Sequence, residues 1–228
     1  GSGFYVTPSK GDTIIKSLKI TTAHNYPESD PMEISIYGTS DKVPHLGQGA
    51  YTFSAWIKPN DYSVAQMLFG QEAFGMHLGV RNGGRLHQAH WSSDWNGETY
   101  LDSYETDKKN EDWIHAVWTW DGSSQTGKIF LDGKIEFSGD IKNPDNSVGS
   151  LVIGNLFNGM PTKMGWNVPK GFYGLVDEIS IWNRALNLDE IDALSKGKNP
   201  LSIESKESNL MGYYDFEEDD PLTLTDKS

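Results

Sequence analysis

The sequence predicts an all-β chain of antiparallel strands, and three observations carry that prediction. Residues 113–139 hold three strand-length apolar runs separated by two turn signals. Asp132-Gly133, between the second and third runs, favours a tight hairpin turn in which both central residues take positive φ. The 24 Gly and 10 Pro suit many strands joined by turns rather than long helices.

In chain order, residues 14–21 and 32–37 are two expected strands, separated by a loop in which Pro27 and Pro31 hold their predecessors extended. Residues 51–58 alternate Tyr51, Phe53, Ala55 and Ile57 against Thr52, Ser54, Trp56 and Lys58, the period of a half-buried strand. Strands at 63–69 and 74–80 lead to a hairpin turn at 81–85, a strand at 86–91, a polar loop at 92–97 and a short strand at 100–104. A charged turn at 107–112 precedes the meander of 113–120, 128–131 and 134–137. A brief strand at 151–154 and a loop at 155–170 without periodicity follow; loops of that length in compact domains are often functional. A long strand at 172–182 leads to one short helix at 188–194. Asn187 is its expected N-cap, with Glu190 as the reciprocal partner, and Gly197 ends it. Residues 198–208 are a linker, and 211–216 form a last strand before an acidic segment.

The net charge of −13 argues against nucleic acid or anionic membranes as partners, since both reward a basic patch. No apolar run approaches the ~20 residues of a membrane helix, so membrane insertion is not expected. Cysteine is absent, which removes any disulfide framework. The 8 Trp, 10 Tyr and 9 Phe supply the large apolar groups of a core, to which Trp113, Trp118, Trp120 and Trp182 are assigned.

Three motifs in order carry a family resemblance. WIHAVWTWDG followed by IFLDGK, YTFSAWIKP at 51–59, and GFYGLVDEISIWNRALNLDEI at 171–191 resemble laminin-G-like (concanavalin A-like) jelly-roll domains. The resemblance implies a two-sheet antiparallel jelly-roll sandwich with one short helix near the C-terminus. It places one domain over 4–228, with its core at 45–196 and a closing strand at 209–217. Residues 1–3 resemble an expression scar. The segment from Ile20 to Asp41 also resembles an internal piece of a discoidin-like domain, but a complete one does not fit the length, so the segment is expected to join the sandwich.

This fold hosts lectins, enzymes and spacers, so function must come from a site. Glycoside hydrolases of the fold use carboxylates that share one strand face. The nearest pair here, Asp177-Glu178, is adjacent and is expected to split between faces, so a non-catalytic domain is expected. The richest mixture of aromatic and polar side chains lies at 86–100, where His87, His90, Trp91, Asp94, Trp95, Asn96 and Tyr100 are candidate sugar contacts, joined by Trp166 from the long loop. His87 and Trp91 share one face of that strand, and Gln88 and His90 the other. His115 is expected to be a packed structural histidine. The resemblance further implies a structural calcium ion near Asp177, with oxygens from Asp215, Glu217 and the following acidic residues. The expectation is a monomeric module of a larger extracellular chain, binding a glycan or glycoprotein; the competing expectations are a structural spacer or protein-binding domain without a glycan site and, third, a glycan-cleaving enzyme.

Overall fold

The computed structural model describes residues 3–6, 17–19, 33–35, 49–59, 62–63, 65–71, 76–91, 98–105, 112–144, 151–154, 170–172, 174–203, 209–217 and 223–228. Asp94, Trp95, Asn96 and Trp166 lie outside them, as do Glu218 to Asp220; Trp91 is described in its backbone only.

Two mainly antiparallel sheets face each other, as the family resemblance implies. The strands are β1 (Gly3–Val6), β2 (Ser17–Lys19), β3 (Glu33–Ser35), β4 (Ala50–Pro59), β5 (Gln66–Gln71), β6 (Met76–Arg81), β7 (Arg85–Trp91), β8 (Glu98–Asp102), β9 (Ile114–Asp121), β10 (Thr126–Leu131), β11 (Lys134–Asp140), β12 (Leu151–Ile153), β13 (Lys170–Gly171), β14 (Gly174–Trp182), β15 (Leu210–Tyr214) and β16 (Thr223–Thr225). The first sheet runs β3-β1-β12-β5-β6-β7-β8 with β13 beside β5, and the second runs β11-β10-β9-β4-β14-β15. A two-stranded ribbon pairs β16 with β2. Gly3, in the segment that resembles a scar, pairs with Glu33 in a parallel β1–β3 ladder, so the N-terminal segment contributes to the first sheet. Among the described residues, no helix is long and apolar enough to cross a membrane.

The core lies between the sheets. Tyr51, Phe53, Ala55 and Ile57 of β4 all face it with no exposure, against Leu78, Val80 and Leu86 of the opposite sheet. Trp118 and Trp120 of β9 join them. Trp113 does not: it precedes β9 and is 39% exposed, which corrects its assignment to the core. Strand parity explains this, because only the even positions Ile114 to Trp120 of β9 point between the sheets.

The second sheet is covered on its outer side too. Helix α1 (Leu188–Ser195) and a 3-10 turn (Pro200–Ser202) form that cover. Ile191 and Leu194 of α1 and Ile203 pack with Val117, Phe130 and Trp182 in a second, smaller core. Phe130 and Ile129 therefore enter different cores from opposite faces of β10, as alternation predicts. The capping box forms as expected: Asn187 Oδ1 accepts from Glu190 N at 3.0 Å, and Glu190 Oε2 accepts from Asn187 N at 2.9 Å. Gly197 stops the chain at φ +81°. Asp132 and Gly133 both take positive φ (49° and 79°), the geometry a type I′ turn demands.

One buried polar chain ties the sheets together. Gln88 Nε2 donates to Tyr51 Oη at 2.8 Å, and Tyr51 Oη lies 2.7 Å from His90 Nε2. His90 Nδ1 lies 2.7 Å from the Lys142 carbonyl oxygen. A carbonyl only accepts, so Nδ1 carries the proton and Nε2 accepts from the tyrosine. Burial pushes His90 down to about 3, against the opposing pull of the Lys142 carbonyl.

Candidate ligand-binding face

Strands β6, β7 and β8 carry their odd side chains, or even ones in β8, on the side of the first sheet away from the core. The β6–β7 hairpin turns through Gly83 and Gly84, both at positive φ (81° and 73°). Its register sets Gly79 opposite His87 and His77 opposite Ala89, while β7–β8 sets His87 opposite Asp102 and Ala89 opposite Tyr100. His77, Arg81, His87, Tyr100 and Asp102 thereby converge from three strands.

Their hydrogen bonds define the tautomer of the central imidazole. Arg81 Nη2 lies 3.3 Å from His87 Nε2. A guanidinium has only donors, so Nε2 accepts. His87 Nδ1 then carries the proton and donates to Asp102 Oδ1 at 2.6 Å. His77 Nε2 stands 3.3 Å from the same His87 Nε2 and is the second donor to it. Both distances are long, as expected when two donors share one lone pair.

Above this network lies Tyr100. The Arg81 guanidinium carbon is 5.2 Å from the Tyr100 ring centroid, and the His87 ring is 5.8 Å from it. Tyr100 is 52% exposed, whereas His87 has no exposure and His77 only 4%. The arrangement is an open aromatic ring on a rigid, hydrogen-bonded base, with Arg81 and Asp102 partly accessible beside it. Such a ring can stack on an apolar ligand face while the flanking charges bond polar groups.

The structure sorts the expected contact residues. Tyr100 is on this face and accessible. His87 is on the same face but buried beneath the ring. His90 is corrected: it points between the sheets, with no exposure and both ring nitrogens partnered, so no surface ligand reaches it. Arg81, Asp102 and His77 were missed. The signal available was the Gly83-Gly84 turn, which folds β6 onto β7 and sets their outward positions side by side.

The acidic corner is a separate feature. A bulge in β14 between Asp177 and Ser180 breaks the alternation, and Glu178 takes φ +51°. The two carboxylates therefore do not split cleanly between faces as expected. Burial raises Asp177 first, and the charges of Glu217 and Asp215 raise it further. Burial also raises Glu178, against the hydrogen bond that its Oε2 accepts from Tyr213 Oη at 2.5 Å. Lys227 Nζ stands 3.5 Å from Asp215. Among the described residues, no group of three or more His, Asp or Glu side chains is placed to hold a metal ion. Asp177 feels the charges of both Glu217 and Asp215.

A carboxyl raised above its unfolded value costs stability while ionised, and that cost disappears as pH falls through the folded value. Asp177→Asn removes the charge yet keeps an oxygen for the Glu178 N–H, which Asp177 Oδ1 accepts at 2.9 Å. In chelator at pH 7 the variant is expected to melt higher, by no more than about 2–4 °C because screening at this half-buried site holds the gain below ~1 kcal/mol. Calorimetry with and without calcium checks this. A lower midpoint in chelator would show that the carboxylate stabilises the fold by itself; a calcium-dependent rise in the parent that Asp177→Asn abolishes would show that it binds the ion.

A further pair lies beneath the helix cover. Ser54 Oγ and His115 Nε2 are 2.9 Å apart, within reach of a nucleophile and its base. Ser54 is only 1% exposed, and no described carboxylate bonds His115 Nδ1; the Asp132 carboxylate instead accepts the His115 backbone N–H at 2.9 Å. The orienting member of a hydrolytic triad is thus lacking among the described residues. His115 is packed and hydrogen-bonded, as expected of a structural histidine.

Comparison with known proteins agrees with this architecture. The family model described as the concanavalin A-like lectin/glucanases superfamily matches residues 35–192, more than half of the chain. A search of the curated proteins found no match. Among solved structures, a candidate carbohydrate binding protein from Bacteroides ovatus superposes with TM-score 0.57 at 14% identity. The match covers 100% of this chain and 58% of that one, so the chain spans little more than half of that relative's length. The CBM40 domain of the Ruminococcus gnavus IT-sialidase, bound to α2,3 sialyllactose, gives TM-score 0.52 at 17% identity over 66% of this chain and 84% of that one. The binding domain of botulinum neurotoxin DC in complex with rat synaptotagmin II gives TM-score 0.51 at 14% identity over 67% and 37%. At these identities the likeness is one of fold.

Proposed function

Because the chain belongs to the concanavalin A-like lectin/glucanases superfamily, we propose that it is a non-catalytic carbohydrate-binding module of a larger extracellular protein. The observation that carries the proposal is Tyr100: an aromatic ring 52% exposed, yet fixed from below by Arg81 and His87. Exposed aromatic rings held rigidly lose little entropy on binding and offer a flat face to a sugar ring. Arg81 and Asp102 add a donor and an acceptor for hydroxyl or carboxylate groups at the ring edge. Solved relatives of the fold that are described as binding carbohydrate, or hold sialyllactose, support the ligand class.

The test is retention on polysaccharide gels and a glycan array that includes α2,3-sialyllactose. Tyr100→Ala is expected to weaken binding at least about tenfold, the usual cost of truncating a central aromatic anchor. Its melting temperature should not change, since the ring is largely solvent-facing. Arg81→Ala should weaken binding and also loosen His87. No retention of the parent on any glycan would end the proposal.

The second reading, a protein-binding domain, has its own observation. Leu175 and Leu188 are 54% and 58% exposed on the second sheet's side of the molecule, and a relative of this fold is seen with a protein partner. That reading predicts binding that survives Tyr100→Ala and fails with Leu175→Asp.

A further inference from the structure

On the opposite outer face from Tyr100, the helix cover does not seal the second sheet. A cavity of about 100 Å³ remains between the sheet and the segment that follows α1. Its polar lining comes from Ser54, Trp56, His115, Glu178, Ser180 and Lys198. The first five stand on β4, β9 and β14, adjacent strands of one sheet, so a rigid floor holds them. Lys198 comes from the cover, just beyond the Gly197 that turns the chain out of the helix.

Three features bear on what the cavity accepts. The Trp56 ring is half-buried and lies 5.2 Å from the His115 ring, giving an aromatic wall. His115 Nε2 is engaged by Ser54, but its Nδ1 is buried without a hydrogen-bond partner among the described residues. A buried ring nitrogen left in that state is costly, and it makes the imidazole a sensitive reporter of its surroundings. The lining carries one carboxylate and one ammonium, and the nearby charges of Asp177, Asp215 and Glu217, which also raise Glu178, disfavour an anion there. Burial keeps His115 low, at about 4, so it adds no charge at neutral pH.

We infer that this cavity is a second ligand subsite, taking the vicinal hydroxyls of a neutral polyol or the edge of a neutral sugar ring. Its volume equals about three waters at ~30 Å³ each, too small for a whole pyranose but enough for two neighbouring hydroxyls and their carbons. Trp56 would pack on the carbon edge. Glu178 and Lys198 supply an acceptor and donors to the hydroxyls, and the His115 ring borders them. The inference stands apart from the Tyr100 proposal, since the two sites lie on different sheets and share no residue.

The experiment is run on the Tyr100→Ala chain, so that failure of one site leaves the other readable. Imidazole ¹⁵N resonances are followed while methyl α-glucoside, methyl β-galactoside or glycerol is added. The expected result is a saturable shift of His115 but not of His90, with at least one probe. A response to the hexosides assigns a sugar edge, and a response to glycerol alone assigns a linear polyol. Lys198→Ala should weaken the response about tenfold through loss of a charge-assisted hydrogen bond. Lys198 lies in the cover, so this variant tests the site even if Trp56→Ala does not fold. A linear, unsaturated drift with every probe, or a saturable shift untouched by Lys198→Ala, overturns the inference and leaves a water-filled cavity.

Discussion

Trp118→Ala is expected to destabilise the domain by about 3–5 kcal/mol, the usual range for deleting a buried indole, and to lower the melting temperature by roughly 6–20 °C for a chain of this size. Trp118 has no exposure and sits at the centre of the inter-sheet core. Its backbone pairs with Phe53 on one side and Ile129 on the other, and its ring meets Phe69 edge to face at 6.1 Å. Strands β4, β9 and β10 are held in register there, so the cavity left by alanine collapses little. The conservative variants sharpen the expectation. Trp118 Nε1 is buried with no partner among the described residues, so Trp118→Phe removes an unsatisfied donor along with some volume and should cost much less. Trp120 Nε1 donates to the Ile141 carbonyl at 3.2 Å, so Trp120→Phe strands that oxygen and should cost more than Trp118→Phe. Urea unfolding of the three variants gives the order directly. Equal losses for the two phenylalanine variants would show that volume alone matters.

That ordering also marks what could be read from the sequence. The period-two pattern of 51–58 located β4 and both its faces, because every odd side chain there enters one core. Asp132-Gly133 and the Asn187–Glu190 box were legible because each is a local device, closed within four residues. The short strands β1 and β16 were not, since three or four residues carry no period and exist as strands through partners far along the chain. The candidate face was half legible. Tyr100 and His87 were visible as a local density of aromatic and polar residues, but Arg81, His77 and Asp102 join them only through the β6–β7–β8 register. The Ser54–His115 pair, 61 residues apart, had no local signal at all. The bulge at Asp177 to Ser180 misled strict alternation, since the sequence there has neither Gly nor Pro to announce it.

Acid should unfold this domain earlier than its many surface carboxylates would, because two buried histidines refuse protons. His90 is held at about 3 and His115 at about 4, in each case chiefly by burial. In the unfolded chain each histidine protonates near 6.5. The sign is therefore fixed: from about 6.5 downward the unfolded state binds protons that the folded state does not, and stability falls with pH. Between about 6.5 and 4 both sites contribute, at up to ~3 kcal/mol per pH unit for two protons; below 4 only His90 does, until about 3. The raised carboxyls of Asp177, Glu178 and Asp226 act the other way, each regaining stability as it protonates. Two of the three stand beside solvent, where screening shrinks their share, so the histidines dominate. Denaturant titrations from pH 7 to 4 should show the stability dropping by several kcal/mol. In the folded protein, the imidazole resonances of His90 and His115 should not titrate above pH 5. Protonation of His90 would require Nε2 to donate toward a tyrosine hydroxyl that already donates to it, breaking the Gln88–Tyr51–His90 chain between the sheets. A flat stability profile over that range, or a His90 that titrates near 6.5, would show that this chain opens to water before it unfolds.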